Sequence, residues 1–402
     1  MRKIYERAQA VLIWIGPDSD DHQAKTAIDS ILTISDFLCR KLQIPVSKLG
    51  STDNLYQRIL TQYNEVLPVP NEGEFISEAV WKSLPKNWLF MLYLVSNFSS
   101  DARDVIYGLR GMMEFKRGSE LLEPDYTKSV AEVYRDVVEA ALINFQTTDV
   151  LLYLNGTEHP SWVPRWEVSM LFRNPFRFGK PLPWRPAGER VPTWAIDKDS
   201  DALTISGFIP SSIKFVETYN ESIFGNAMIN KQRDLLNDIW RRILKTIGDT
   251  QSKIPLTTNI LTAAATSFSF GLDEKSNPVD EHILLERFVK YLRLVLDEEI
   301  YDKYIPRDVF EASEDADGRL FGKPVWDFTY PESSFFITEN NLAGCSVAST
   351  RPGDVIFVAH GSTYPLVLRQ HTDYFRIRGF AHVHGLMHGE QIDAEVRNIE
   401  IR

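Results

Sequence analysis

The hydrophobic pattern of the chain changes its period near Ser334, from the three- and four-residue spacing of helices to alternation every second residue. Short apolar segments separated by Gly and Pro residues then follow one another at 335–338, 354–358, 366–369 and 374–383. Successive short strands with turns of this kind are typical of antiparallel β units. Residues 331–402 are therefore predicted to form a C-terminal β-module, a small antiparallel barrel or sandwich.

The middle region, residues 116–330, is predicted to be mostly helical because its apolar residues recur at helical spacing. Two long helices are predicted, at about 230–247 and at 283–295. Their inward-facing residues are Leu235, Leu236, Ile239, Trp240, Ile243 and Leu244 in the first helix, and Leu284, Phe288, Leu292 and Val295 in the second.

A small β insertion near 193–216 interrupts this helical region. Residues 203–207 alternate apolar and polar side chains, which indicates a strand, and residues 213–216 are expected to pair with it. The stretches 249–280 and 302–332 are predicted to be loops or lids with short helices.

Two helices with a short polar connection are predicted over residues 100–142. Asp101 is expected to cap the first helix, and either Asp125 or Thr127 the second. Arg103 and Asp104 are interpreted as anchors for neighbouring loops through charged hydrogen bonds. The expected apolar faces are Val105, Ile106, Leu109, Met112 and Met113 in the first helix, and Val130, Val133, Tyr134, Val137, Val138, Ala141 and Leu142 in the second.

The N-terminal region, residues 1–115, is predicted to be an incomplete α/β segment. Residues 11–15 indicate a short buried strand, residues 20–40 an amphipathic helix, and residues 88–95 a segment that is apolar all round and hence buried. A buried strand needs neighbours on both sides, and nothing precedes this one to supply them. Either later strands flank it, or the chain as given starts inside a domain.

Composition excludes several functional classes. The 402 residues carry a net charge of −11 and no basic block, which disfavours binding to nucleic acid. Two cysteines, Cys39 and Cys345, are too few for a disulfide framework or a four-cysteine zinc site, and this favours a reducing, cytoplasmic location. No stretch has the apolar length of a membrane span.

Three short patterns resemble chemical sites, but each has a simpler structural interpretation. His382, His384, His388 and Glu390 are spaced so that two of them could ligate a metal, or they are polar residues on a sheet face. Residues 344–348 are one residue away from a nucleophile elbow, but lack the following helix. Residues 313–318 resemble part of a calcium loop, but Pro324 occupies the position at which that loop needs a glutamate as its last ligand. No catalytic, cofactor-binding or metal-binding residue is assigned.

Several motifs, in order, resemble those of the fungal heterokaryon-incompatibility (HET) domain proteins. The central ones are RDVIYGL at 103–109, PDYTKSVAEVY at 124–134 and PSWVPRW at 160–166. Residues 1–16 resemble the helix and strand in the middle of that domain. The segments FFIT, PGD, PLVLR and 374–390 resemble a β-module common after it. Two family blocks have no counterpart here: one before Met1, and a Trp-x-x-Gln-Glu motif expected between Trp81 and Asp101.

The resemblance implies a TIR-like α/β fold and a role in non-self recognition and programmed cell death, through a protein partner. Some TIR domains hydrolyse NAD through a glutamate, and the acidic residues of the two missing blocks are absent from this sequence. Three functions stay open: a HET-type cell-death effector, a non-catalytic scaffold or degenerate relative, and an NAD-cleaving enzyme. The gaps indicate a truncated gene model or a degenerate paralogue.

Overall fold

The computed structural model of the protein describes residues 86–95, 101–153, 160–167, 182–220, 233–274, 277–328, 332–347 and 350–402. Within them the chain is mixed α and β, as predicted, with a helical middle followed by strands. Most of the proposed 1–115 segment lies outside the described residues. This includes the predicted strand at 11–15, the predicted helix at 20–40 and Cys39.

Nine α-helices lie in the described part of the chain, together with three short 3-10 turns at Arg110–Met112, Ser119–Leu122 and Asp149–Leu152. The helices are α1 (Trp88–Val95), α2 (Asp104–Tyr107), α3 (Val130–Phe145), α4 (Arg233–Gln251), α5 (Thr258–Ser269), α6 (Glu281–Val295), α7 (Glu298–Tyr304), α8 (Arg307–Ala312) and α9 (Arg319–Phe328). None of these helices is both long enough and apolar enough to cross a membrane.

The described strands form one eight-stranded sheet, antiparallel except for a single parallel contact between β7 and β8. They are β1 (Trp194–Asp197), β2 (Ala202–Asn220), β3 (Glu332–Thr338), β4 (Ala343–Ser346), β5 (Val355–Ala359), β6 (Leu366–Gln370), β7 (Phe375–Val383) and β8 (Arg397–Ile401). The strand order is β1-β2-β3-β4-β7-β6-β5, and β2 pairs in addition with β5 and β8. The C-terminal strands, predicted to form a small barrel or sandwich of their own, are instead part of a larger sheet that includes β1 and β2.

Strand β2 corrects the prediction that residues 203–207 and 213–216 pair with each other. They belong to one continuous strand of 19 residues, whose first part pairs with β1, β5 and β8 and whose second part pairs with β3. Pro210 has no N–H to donate, and the register of the β2–β5 pairing shifts between Phe208 and Ser211. The proline therefore marks an irregularity within the strand and not a hairpin turn.

Strands β4 and β8 are absent from the sequence-based prediction. Strand β4 contains Gly344, which is a turn signal in sequence but here allows the ring of Phe336 on β3 to approach the backbone closely. Strand β8 has the alternation Asn398, Ile399, Glu400, Ile401, with both isoleucines buried. Its period-two pattern was a usable signal.

The two long predicted helices are confirmed as α4 and α6, and their predicted inward residues are buried except for the partly buried Leu235. The stretch 249–280, predicted to be loops or lids with short helices, contains one helix of twelve residues, α5. The helix is rich in Ala, Ser and Thr and so lacks a strong hydrophobic period. The same small side chains let it pack closely between α6 and β4, with Ala264, Ala265 and Phe268 buried.

The two-helix centre is confirmed in outline and corrected at its ends. The first helix is only four residues long, and a 3-10 turn follows it, consistent with the low helix propensity of Gly108 and Gly111. Met112, predicted to face inward, is half exposed. Ser129, and neither Asp125 nor Thr127, caps α3, in a reciprocal capping box with Glu132. The buried face of α3 is as predicted, with Val130 partly buried at its edge.

Candidate functional site

Arg103, in the first of the central motifs, is an anchor for the loop that carries the second. Its Nη1 donates to the carbonyl oxygens of Tyr126 (2.8 Å) and Lys128 (3.0 Å), while Nε and Nη2 donate to the Asp101 carboxylate at 3.0 and 2.8 Å. One edge of the guanidinium group thus binds a carboxylate, and its remaining nitrogen binds two backbone carbonyls of the loop. The anchoring role predicted for Arg103 is confirmed.

Tyrosines complete the contact between these two motifs. The Tyr126 hydroxyl donates to the Asp104 carboxylate at 2.6 Å, and this hydrogen bond is the largest cause that raises the pKa of Tyr126 to about 12. Tyr107 donates to the carbonyl of Asp125 at 3.1 Å, and its ring meets that of Tyr126 edge-on. The predicted anchor residue Asp104 therefore holds the same loop as Arg103.

The third central motif, at 160–166, is hydrogen-bonded to the sheet region, and both of its tryptophans belong to the hydrophobic core. Trp162 and Trp166 are fully buried. The indole Nε1 of Trp162 donates to the carbonyl of Asp201 at the start of β2 (2.9 Å), and Ser161 donates to the carbonyl of Arg402 (2.6 Å). The motif thus fastens the helical middle to the sheet.

The C-terminal histidines line a cleft of about 320 Å³ between the end of β7, α5 and the start of α6. Trp184, from the segment before β1, closes one side of the cleft. The described wall contains three carboxylate residues, Asp280, Glu281 and Glu390, and no lysine or arginine. We take this Trp184 cleft as the candidate site because its wall brings together three histidines and three carboxylate residues.

His382 is the buried member of the histidine cluster. It lies opposite Cys345 of β4 in the sheet register, and only 4% of its surface is exposed. Its ring meets the ring of Trp184 edge-on, with centroids 5.8 Å apart. Burial, together with the nearby His384 and His388, lowers the pKa of His382 to about 3, so the ring is neutral at physiological pH. Its Nδ1 atom is buried and has no hydrogen-bond partner in the described part of the chain.

His384 and His388 lie nearer the mouth of the cleft. The Nδ1 atom of His384 is 3.2 Å from the Thr266 hydroxyl and 3.4 Å from a carboxylate oxygen of Glu281. His388 packs edge-on against Trp184 at 5.4 Å, and its backbone N–H donates to Glu390 at 2.7 Å. Among the described residues, no three His, Cys, Asp or Glu side chains are arranged to hold a metal ion.

A second cleft, of about 510 Å³, adjoins the first and shares Glu281 and His384 with it. Its walls come from α4, α5, α6, β3 and β4, and are more apolar than those of the Trp184 cleft. Ile260, Leu285 and Leu342 are among the residues that line it. Its described wall, too, has no lysine or arginine.

The other two chemical patterns have structural roles. In the elbow-like segment, the Ser346 hydroxyl is buried on strand β4 and donates to the carbonyl of Phe380 at 3.1 Å. In the calcium-like segment, Ser313 donates to the carbonyl of Val309, and the Asp317 carboxylate accepts hydrogen bonds from Arg319. Pro324 lies inside helix α9. Neither segment presents the geometry of its pattern.

Two residues of the Trp184 cleft were missed in the sequence. Trp184 lies in a segment without periodicity, although its neighbours Pro183 and Pro186 signal a rigid backbone, like that around Trp162. Glu281 resembles any acidic residue in the first turn of a helix. Only the packing of α6 beside the end of β7 brings it next to His384.

Comparison with protein-family models, curated proteins and solved structures gives no significant match. The likeness to HET proteins rests on the motifs of the sequence.

Proposed function

We propose that the protein is a HET-type non-self recognition and cell-death effector that acts through contact with a protein partner. The TIR-like nature of its N-terminal segment is part of this proposal. The ordered motifs support the family assignment. The contacts of those motifs support action by binding, since they join elements of the fold to one another.

The observation that carries the proposal is the double anchoring of Arg103. Its guanidinium joins the motif at 103–109 to the motif at 124–134 through two hydrogen bonds, to the carbonyl oxygens of Tyr126 and Lys128, and two more hold it to the Asp101 carboxylate. Because the guanidinium of Arg103 is engaged in these hydrogen bonds, its role is to maintain the local fold, and not to transfer a proton or attack a substrate. The contacts between the motifs would then maintain a recognition surface.

The experiment is expression of the full chain from an inducible promoter in a filamentous fungus, alone and in strains of different incompatibility genotype. Growth arrest in at least one strain is expected. Arg103→Ala, which removes all four hydrogen bonds, should reduce the arrest, whereas Arg117→Ala, which changes an exposed arginine nearby, should not. A cooperatively folded protein that never arrests growth would instead identify a scaffold or degenerate relative.

NAD cleavage is measured separately on the purified chain. Release of nicotinamide above the level of a buffer control would replace the binding proposal by an enzymatic one.

A further inference from the structure

The two clefts adjoin each other, and we name them together the acidic groove. It consists of the Trp184 cleft and the more apolar second cleft, which meet at Glu281 and His384. One half offers carboxylates and an indole ring, and the other half offers aliphatic side chains. Such a division fits a ligand with a polar end and an apolar end.

The carboxylates of the groove lack cationic partners from the chain. In the described residues, neither Asp280, Glu281 nor Glu390 forms an ion pair with a lysine or arginine; the one ion-pair contact is that of Glu281 with His384. The negative charges of Asp280 and Glu281 also stabilise α6, because they lie at the positive, N-terminal end of its dipole. Glu390 lies in a separate segment after β7, so stabilisation of the N-terminus of α6 does not account for its position. The negative potential of the groove is thus available to a ligand.

The inner wall of the Trp184 cleft suits a cation. His382 is neutral, so its ring does not repel positive charge, and its buried Nδ1 has no partner among the described residues. The indole of Trp184 adds a ring of the kind that attracts ammonium and guanidinium groups. This orphaned polar atom is an observation independent of the carboxylates.

We propose that the acidic groove binds a peptide segment of a partner protein, with an arginine or lysine side chain in the Trp184 cleft and a neighbouring apolar side chain in the second cleft. The proposal rests on the proposed function in taking the ligand to be a protein. The negative net charge of the whole chain, −11, would also favour the approach of a basic partner. A phosphate-bearing ligand such as a nucleotide does not fit, because no lysine or arginine lines the described walls.

The test uses an acetylated and amidated peptide, Gly-Leu-Arg-Leu-Gly, titrated into the full chain by calorimetry. Matched peptides carry citrulline, which has the shape of arginine without its charge, or alanine in place of both leucines. We expect the citrulline peptide to bind at least tenfold more weakly than the arginine peptide, and the alanine peptide also to lose affinity. The ring signals of the histidines are assigned in NMR spectra with the variants His382→Gln and His384→Gln. Addition of the peptide should shift the signals of His382 and His384, which places the peptide in the groove.

Variants of the protein give the second arm of the test. Glu281→Gln and Glu390→Gln should each weaken the arginine peptide about two- to fivefold, as expected for the loss of an exposed ion pair. Glu314→Gln makes the same charge change at an exposed position outside both clefts and should leave the affinity unchanged.

Equal affinity for the arginine and citrulline peptides, or unchanged affinity in both groove variants, would overturn the proposal. Binding of N-acetylarginine amide as tight as that of the peptide would also overturn it, in favour of a small organic cation. Peptide binding without growth arrest in fungi supports the groove and counts against the proposed function. Growth arrest without peptide binding does the reverse.

Discussion

The carboxylate of Asp354 and the guanidinium of Arg369 form two parallel hydrogen bonds of 2.8 Å between the start of β5 and strand β6. Asp354 also accepts a hydrogen bond from the backbone N–H of Arg351, which closes the turn before β5. Only 2% of the Asp354 side chain and 18% of the Arg369 side chain are exposed. Two motifs that are separate in the sequence, PGD and PLVLR, are thus one structural unit.

We expect Asp354→Asn and Arg369→Met each to lower the free energy of unfolding by about 3 kcal/mol, because each leaves a mostly buried charge without its partner. The double variant should lose less than the sum of the two, by at least ~1 kcal/mol. Urea unfolding of the wild type and the three variants measures this. Strictly additive losses would mean that the two side chains stabilise the sheet independently.

Arg103→Lys should loosen the connection between α2 and the loop at 124–129. A lysine ammonium lacks the planar fork with which Arg103 reaches the Asp101 carboxylate and two carbonyl oxygens at once. Hydrogen exchange of the amides in 124–133 should become faster, and the denaturation midpoint should fall.

Arg117→Lys is the matched control for this prediction, since Arg117 is exposed and contributes none of the hydrogen bonds that hold that loop. If both variants exchange at the wild-type rate, the guanidinium of Arg103 is not what orders the loop.

The stability of the protein should fall in acid because of His382. Its pKa is lowered from 6.5 to about 3 in the folded state, chiefly by burial, so between these values the unfolded chain binds more protons. The contribution of the neutral ring is complete above pH 6.5 and is lost as the pH falls towards 3. From this group alone the free energy of unfolding should decrease by up to about 1.4 kcal/mol per pH unit.

Chemical denaturation at several pH values between 7 and 4 measures this slope. His382→Gln should make it shallower, whereas His371→Gln, outside the cleft, should not. Parallel curves for the wild type and His382→Gln would show that another group controls the acid response.

Gly344→Ala should destabilise the sheet by about 1–3 kcal/mol, because a Cβ at this position would overlap the ring of Phe336 and the core has no room for it. Phe336→Leu should rescue part of this loss, since the smaller side chain vacates the space that the methyl group needs. Thermal unfolding of the two single variants and the double variant tests the prediction. A double variant no more stable than the less stable of the two singles would place the strain elsewhere.

Local patterns in the sequence determined the elements that bury one face. Helices α3, α4 and α6 and strands β5, β6 and β7 were predicted close to their observed bounds, because the spacing of apolar residues within a dozen positions reports which face meets the core. The anchoring role of Arg103 was also predicted from local sequence, since a charged side chain beside the connection between two helices can form charged hydrogen bonds to a neighbouring loop.

Tertiary structure alone decided the course of β2, the presence of α5 and the composition of the acidic groove. Strand β2 is continuous because β3, β5 and β8, all from the last 71 residues, supply its hydrogen-bond partners. Helix α5 exists where close packing on α6 and β4 stabilises a segment of small residues. Trp184, Glu281 and His382 meet because separate elements converge, and no pattern within any one of those segments encodes a contact with the others.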